Sequence, residues 1–121
     1  MTGARIFFVE DDEIVAKVID WRLNKLGYHV CGSTKKASDA IDLIEKKTPD
    51  LVLLDIDLND SMDGIDIGKV LSSKTNIPFI YLTSHTEDII LKRAKDTRPR
   101  GYIEKPFTDT DLRIAIELGL T

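Results

Sequence analysis

The apolar residues of the chain fall into five short runs that alternate with longer amphipathic segments. The runs lie at residues 5–9, 28–32, 51–54, 78–82 and 102–104. The third run contains no polar position, which is typical of a strand covered on both faces of a parallel sheet. The pattern therefore predicts five strands, with residues 51–54 in a central strand.

Five helices are predicted in the segments that follow the strands, because apolar residues recur there at helical spacing. The first follows Asp12, a suitable N-cap, and closes on Gly27. Its apolar positions are Val15, Val18, Ile19 and Leu26. The other helices are predicted from residue 38 to just before residue 49, at 65–73, at 87–95, and from 108 through 118. Thr108 and Asp111 resemble a capping box at the start of the last helix.

The regular alternation of strands and helices predicts the architecture of the domain. Such alternation is typical of a parallel sheet with right-handed crossovers and helices on both faces. In open sheets of this kind, ligands bind at the carboxyl ends of the strands. We therefore look for chemistry in the residues at which the predicted strands end.

Composition narrows the class of protein. The 121 residues are 42% apolar and 31% charged, as in a soluble globular domain with a single core. A net charge of -4 argues against direct nucleic-acid binding, and no apolar run reaches the ~18 residues of a membrane span. The N-terminal segment lacks the apolar stretch of a secretion signal, so we expect a cytoplasmic protein. A single cysteine, Cys31, excludes an intramolecular disulfide and is expected to pack in the interior.

Four of the predicted strands end in polar residues suited to chemistry. These are Glu10 and Asp11, Asp55, Thr83 and Lys105. Two ionised carboxylates about 4 Å apart repel by roughly 4 kcal/mol at an effective dielectric constant of 20, so three in one pocket need a counter-ion. Ligation by oxygen alone favours a hard cation such as Mg²⁺. The chain lacks a glycine-rich phosphate loop. A metal ion bound by these acids, together with Lys105 and Thr83, would match a phosphoryl-transfer site.

Five motifs give the chain a resemblance to the receiver domains of two-component response regulators. They are Val-Glu-Asp-Asp at 9–12, Leu-Leu-Asp at 53–55, Met-Asp-Gly at 62–64, Leu-Thr-Ser at 82–84 and Gly-Tyr-Ile-Glu-Lys-Pro-Phe at 101–107. Each motif alone is weak, but all five occur in order and at family-like spacing over essentially the whole chain. The resemblance implies a flavodoxin-like doubly wound sheet of strand order 2-1-3-4-5, in one receiver domain over residues 1–121.

The resemblance also implies a role for each acid. Asp55 would be the nucleophile that takes a phosphoryl group from a phosphohistidine on a partner kinase. Asp11 and Asp55 would ligate Mg²⁺, or Mn²⁺ in its place, through their side chains. The backbone carbonyl of Asp57 would add a third ligand, and Glu10 would act mainly through metal-bound water.

The resemblance implies that the remaining motif residues bind the phosphoryl group or change conformation in response to it. Thr83 and Lys105 would bind phosphoryl oxygens, and Tyr102 would be an aromatic switch that turns inward together with Thr83. The Lys105–Pro106 peptide bond is commonly cis in the family. The surface of the fourth helix, fifth strand and fifth helix would then change.

The implied partners are those of a signalling switch rather than of an enzyme. The phosphoryl donor would be a sensor histidine kinase or a phosphotransfer protein. The signal would then pass to an unknown downstream protein or output domain. The resemblance also allows a phosphorylation-dependent homodimer.

Two departures from the family pattern affect the partner-facing surface. The loop between Asp55 and Gly64 is one residue longer and lacks its usual proline. The fourth helix is followed by Arg98-Pro99-Arg100, where small residues are usual.

Several alternatives stay open at this point. Asp55-Ile56-Asp57 also resembles the nucleophile pair of haloacid-dehalogenase-like Mg²⁺-dependent phosphatases, and a receiver-like interaction module that is never phosphorylated is a further alternative. Thr83 or Ser84 could cap the fourth helix instead, and Tyr102 could be a core residue.

Three further sets of polar side chains have either a functional or a purely structural interpretation. Asp57 and His85, each two residues beyond a site residue, could position or exclude a hydrolytic water. Asp60 and Asp63 could be solvated loop acids, with Asp63 capping the third helix. The basic residues could form a solvated face; they are Lys92, Arg93, Lys95, Arg98 and Arg100.

Overall fold

The computed structural model of the chain describes residues 3–58, 62–84 and 87–121. Its strands are β1 (Arg5–Val9), β2 (His29–Thr34), β3 (Leu51–Asp55), β4 (Phe79–Thr83) and β5 (Gly101–Glu104). They form one sheet in the order β2-β1-β3-β4-β5, and every neighbouring pair is parallel. The predicted flavodoxin-like strand order is confirmed.

The strand β2 extends two residues beyond its predicted end at residue 32. Ser33 and Thr34 continue it because they pair with Phe8 and Val9 of β1. The Glu10 amide then donates a hydrogen bond of 3.1 Å to the Thr34 carbonyl. Pairing of the backbone, which the apolar pattern does not report, sets the end of this edge strand.

The helices lie where the apolar periodicity predicts them, and five of them are present among the described residues. They are α1 (Glu13–Lys25), α2 (Ala37–Lys47), α3 (Gly64–Lys74), α4 (Asp88–Asp96) and α5 (Asp109–Gly119). The Asp12 carboxylate accepts hydrogen bonds from the amides of Ile14 and Val15, which confirms the predicted N-cap of α1.

Reciprocal caps close the N-termini of two further helices. Thr108 and Asp111 form the capping box of α5 that the sequence predicts. Asp63 and Asp66 form a second capping box at α3, so Asp63 does cap that helix. The N-cap of α4 is Glu87, and the alternative that Thr83 or Ser84 caps this helix is therefore wrong.

The two faces of the sheet carry separate halves of the core. Along β1, Ile6 and Phe8 face the side covered by α1 and α5, whereas Phe7 and Val9 face the side covered by α2, α3 and α4. All five residues of β3 are buried, as expected for a central strand covered on both faces. Cys31 packs against the second of these two sides.

Two apolar helix residues that the periodicity groups with the core are exposed. The inward stripe of α1 is centred on Ile19 and Leu23, so Val18 lies beyond its edge. In α5, Leu112 and Ile116 are buried, whereas Leu118 faces outward. Across the described segments, no helix is both long enough and apolar enough to cross a bilayer.

Candidate phosphoryl-transfer site

The residues singled out by the sequence meet at one edge of the sheet. Glu10 and Asp11 directly follow β1, Asp55 and Thr83 are the last residues of β3 and β4, and Lys105 directly follows β5. Because β1, β3, β4 and β5 are neighbours in register, their carboxyl ends lie side by side. The topology thus brings together residues that are up to 95 positions apart in sequence.

Three carboxylates form the centre of this site. Glu10, Asp11 and Asp55 each offer an oxygen, and these oxygens all lie within 4.8 Å of one another. Glu10 and Asp55 are only 2% and 3% exposed, so their charges are largely removed from water. Every donor in the cluster is a carboxylate oxygen, the ligand type that Mg²⁺ prefers, and the donor set therefore fits that ion.

The ammonium group of Lys105 lies between the two buried acids. Its Nζ is 3.0 Å from Asp55 Oδ2 and 3.1 Å from Glu10 Oε1. The Lys105 amide donates to the Thr83 carbonyl over 2.8 Å, which continues the pairing of β5 with β4 to this residue. The Lys105–Pro106 peptide bond is cis, as the resemblance implies.

The electrostatics of the site follow from this crowding. Burial raises the pKa of Glu10 to about 7, and a hydrogen bond and the charge of Asp55 add to the shift. Burial on its own would lower the pKa of Lys105, but the attraction of Asp55 and then of Glu10 outweighs burial and raises it. The protein thus holds an ammonium group firmly charged against two crowded acids.

Backbone amides also bind these carboxylates. The Asp57 amide donates to Asp55 Oδ1 over 3.0 Å, and the Asp12 amide donates to Glu10 Oε2 over 3.2 Å. Each carboxylate is therefore held by its own loop as well as by Lys105. The ligand role of the Asp57 carbonyl stays a prediction, and the Asp57 side chain is exposed.

Thr83 and Tyr102 border a cleft between β5 and α4. Thr83 is 4% exposed at the end of β4, and Tyr102 is 41% exposed on β5. The cleft has a volume of about 810 Å³ and is also lined by Leu91 and Lys95 of α4. Tyr102 is therefore not a core residue in this structure, whereas Tyr81 on the neighbouring strand β4 is buried, with its ring centre 6.2 Å from that of Tyr102.

Three further residues shape the site, and sequence patterns do not single out their roles. Gly64 packs against the backbone of Asp55, Arg22 of α1 binds the loop that follows Lys105, and Arg93 of α4 binds the cap of α3. Gly64 belongs to the Met-Asp-Gly motif, so the sequence marks this position but does not show its contact with Asp55. Arg22 and Arg93 contact residues 85 and 30 positions away, and no local pattern reports such contacts.

Two residues that the sequence analysis names, Asp60 and His85, lie outside the described residues, as does the middle of the longer loop between Asp55 and Gly64. The hypotheses about a solvated Asp60 and about His85 and the hydrolytic water therefore stay untested.

The 2-1-3-4-5 sheet, with acids, a threonine and a lysine at its strand ends, places the chain among the flavodoxin-like receivers. A family model described as the response regulator receiver domain matches residues 6–117, and the chain belongs to this family. It is the receiver domain of a two-component response regulator, a family of signalling domains rather than of catalytic enzymes. The resemblance that the five motifs carry is confirmed.

Named relatives are similar over nearly the whole chain. The transcriptional regulatory protein PdtaR of Mycobacterium tuberculosis is 32% identical over 117 residues, which are 97% of this chain and 57% of that protein. The chain thus spans 57% of the length of this curated relative.

Solved structures with similar folds include two receiver domains. The signal receiver domain of a modulated diguanylate cyclase from Desulfovibrio desulfuricans G20 is 30% identical with a TM-score of 0.91, covering 98% of this chain and 94% of that one. The BeF3-activated N-terminal receiver domain of Klebsiella pneumoniae RstA is 30% identical with a TM-score of 0.86, covering 96% and 97%.

Proposed function

We propose that this chain is the phosphoacceptor of a two-component phosphorelay, with Asp55 as the residue that is phosphorylated. The observation that carries the proposal is the position of the Asp55 carboxylate. It is buried, shares a cluster with Glu10 and Asp11, and lies 3.0 Å from the Lys105 ammonium. A phosphoryl group entering this pocket would meet an oxygen nucleophile beside a fixed positive charge.

The proposed reaction is a transfer of the phosphoryl group from nitrogen to oxygen. An Asp55 carboxylate oxygen forms a bond to phosphorus while the bond between phosphorus and the imidazole nitrogen of the donor breaks. The electron pair of that bond stays with the imidazole. Asp55 needs no base to activate it, because its carboxylate is already a nucleophile when ionised.

Mg²⁺, or Mn²⁺ in its place, would supply the positive charge that lets an anionic donor approach three acids. Asp11, Asp55 and the backbone carbonyl of Asp57 would hold it directly, and Glu10 would hold it through water. Among the described residues, Lys105 is the cation paired with the two buried acids, so Glu10, Asp11, Asp55 and Lys105 together keep a net negative charge without the metal ion.

Lys105 and Thr83 would bind the phosphoryl oxygens once Asp55 carries them. Lys105 would then exchange its contact with Asp55 Oδ2 for one with the new phosphoryl group, and the Thr83 hydroxyl would donate a second hydrogen bond. Thr83 and Tyr102 line the same cleft, so a movement of Thr83 would change the space available to Tyr102. The inward turn of Tyr102 would change the surface of α4, β5 and α5 by biasing a two-state equilibrium.

The proposal includes the partners and the setting of the domain. Residues 1–121 constitute one receiver domain in the cytoplasm, phosphorylated by a sensor histidine kinase or a phosphotransfer protein. The signal passes to a downstream protein or output domain, and phosphorylation could bring two copies together. Proteins that the chain resembles extend beyond the matched region, as its 57% coverage of PdtaR illustrates.

The test is labelling by a small phosphodonor such as phosphoramidate in the presence of Mg²⁺, followed by mass analysis of the intact protein. We expect the wild type to gain one phosphoryl group and Asp55→Asn to gain none. Asp57→Asn is the matched control, because its side chain is exposed while its backbone is unchanged, and we expect it to be labelled. Undiminished labelling of Asp55→Asn would reject Asp55, and continuous hydrolysis of a phosphate monoester would favour a phosphatase instead.

A further inference from the structure

Arg22 lies on α1, outside the cluster of acids, and its guanidinium reaches the loop that carries Lys105. Its Nη1 donates to the Phe107 carbonyl over 2.5 Å, and its carbon Cζ lies 5.2 Å from the centre of the Phe107 ring. Its Nε is 3.5 Å from the carboxylate of Asp109, at the first turn of α5. One half-buried side chain thus makes three different contacts with two residues, Phe107 in the loop and Asp109 in α5.

These contacts fix the chain just beyond Lys105. On the upstream side, the Lys105 amide is held by the Thr83 carbonyl. On the downstream side, the Phe107 carbonyl accepts a hydrogen bond from the side chain of Arg22 on α1. Arg22 and Lys105 also line the same groove, of about 340 Å³, together with Pro106.

We propose that Arg22 is a positioning residue that sets where the Lys105 ammonium stands relative to Asp55. The inference rests on the proposed function, in which Lys105 binds the phosphoryl group. Without the guanidinium, the Phe107 carbonyl loses this partner, and downstream of Lys105 the packing of the Phe107 ring and the cap of α5 at Thr108 remain without a bond to the loop carbonyl. The ammonium then occupies a wider range of positions, and small misplacements of catalytic groups slow reactions strongly.

An arginine suits this role better than a lysine does. A guanidinium is planar and can donate to a carbonyl, stack on a ring and pair with a carboxylate at the same time. An ammonium would satisfy the carbonyl or the carboxylate, but not the ring in the same geometry. Arg22→Lys should therefore recover only part of the function that Arg22→Met loses.

The first experiment measures the rate of phosphorylation by phosphoramidate at saturating Mg²⁺. We expect Arg22→Met to slow labelling by roughly tenfold and Arg22→Lys to lie between Arg22→Met and wild type. The matched control is Lys25→Met, which removes the other cation on Asp109, 2.5 Å from its carboxylate, but leaves Arg22 in place. We expect its rate to equal that of wild type. All rates are compared under conditions where urea titration shows each variant to be folded.

A double-mutant cycle separates positioning of Lys105 from a general effect on the fold. In a Lys105→Met background, adding Arg22→Met should change the remaining rate by less than about twofold, because the group that Arg22 positions is gone. A further tenfold loss in that background would overturn the proposal.

A second readout does not depend on phosphorylation. The ¹H–¹⁵N signal of the Lys105 ammonium, recorded without metal, reports the contacts of Nζ with Glu10 and Asp55. We expect this signal to shift or broaden in Arg22→Met and to stay unchanged in Lys25→Met. An unchanged signal in Arg22→Met would contradict positioning. If wild type itself were never labelled, the phosphoacceptor function would fail, whereas this signal would still decide the role of Arg22.

Discussion

Gly64, the first residue of α3, lies directly against the backbone of Asp55. A Cβ atom placed on Gly64 would stand 2.0 Å from the Asp55 carbonyl oxygen and 2.9 Å from the Cα of Ile56. The Gly64 amide donates to the Ile56 carbonyl over 3.1 Å. The end of β3, which carries the proposed phosphoacceptor, is therefore in direct main-chain contact with the start of α3.

We expect Gly64→Ala to lower the free energy of unfolding by about 2 to 4 kcal/mol, because backbone atoms cannot yield to a methyl group as a flexible side chain can. The measurement is urea unfolding in EDTA. The control is Gly101→Ala, where the new Cβ would find its nearest neighbour, Ile80 Cγ1, at 4.0 Å, and where we expect less than about 0.5 kcal/mol. Equal stability of the two variants would contradict the close packing.

Removal of the Lys105 ammonium should expose the repulsion between the buried acids. We expect Lys105→Met, in EDTA, to be destabilised by roughly 2 to 4 kcal/mol, since Glu10 and Asp55 lose their shared partner. Mg²⁺ should restore more stability to this variant than to wild type, because the protein cation no longer competes for the same carboxylates. Thermal unfolding with and without Mg²⁺ measures both effects.

The control for this prediction is Lys35→Met, which removes an ion pair with Glu13 in which both side chains are exposed. Exposed pairs of this kind contribute little to stability, and this one joins the first residue of α1 to the residue that follows β2. The interpretation of Lys105 is wrong if the two variants lose the same stability and respond equally to Mg²⁺.

Sequence alone predicts the alternation of strands and helices and most helix ends, because these depend on local and periodic signals, whereas the strand order follows from the resemblance to receiver domains. The continuous apolar run of β3 indicates a central strand, and Asp12 and Thr108 are caps whose partners lie within three residues. The strand-end rule then gathers Asp55 and Lys105 without any knowledge of their distance. Each of these inferences uses a pattern that physical chemistry imposes on neighbouring positions.

The contacts that sequence does not predict are those between elements far apart in the chain. The apolar periodicity includes Val18 in the inward stripe of α1, but only the packed structure shows that Ile19 and Leu23 fill the available space. A tyrosine in a strand suggests a core residue. Tyr81 meets this expectation and is buried, whereas Tyr102 is 41% exposed because it lies on the edge strand β5. Which of two similar residues is buried depends on the neighbours that the fold provides.

The raised pKa of Glu10 predicts a pH dependence of stability in the metal-free protein. Burial and then Asp55 raise this pKa from 4.5 to about 7, so the folded state binds the proton more tightly than the unfolded state does. The stabilisation is complete below the unfolded value and is lost as pH rises through about 7. We expect the free energy of unfolding in EDTA to fall by roughly 2 kcal/mol between about pH 5 and pH 8.

Glu10→Gln should remove most of this fall, because the amide does not titrate. The control is Glu13→Gln, since the hydrogen bond from Lys35 lowers the pKa of that exposed carboxyl and its effect has the opposite sign. Urea titrations across the pH range measure both variants. An equal fall in wild type and in Glu10→Gln would assign the pH dependence to other groups.

Arg93 of α4 binds both acids of the α3 capping box without displacing the cap. Asp63 Oδ1 and Asp66 Oδ2 accept the capping amides, and the other two oxygens lie 3.2 and 3.7 Å from the guanidinium nitrogens of Arg93. The helix α4 buries only Ala94 among its described residues and packs Ile90 partly against the core, so Arg93 adds a polar contact between α4 and α3 to a small apolar one. We therefore expect Arg93→Met to increase hydrogen exchange in α4 more than in α5.

A double-mutant cycle of Arg93→Met with Asp63→Asn should give a coupling energy of about 0.5 to 1 kcal/mol, because the pair is partly exposed. The coupling should shrink as salt is added, since screening weakens exposed charge pairs. Lys92→Met, on the same helix and also exposed, is the control and should leave exchange in α4 unchanged. Because Gly64, the residue after Asp63, lies against the backbone of Asp55, the pair connects α4 to the end of β3, and a coupling of zero would contradict an energetic link along this path.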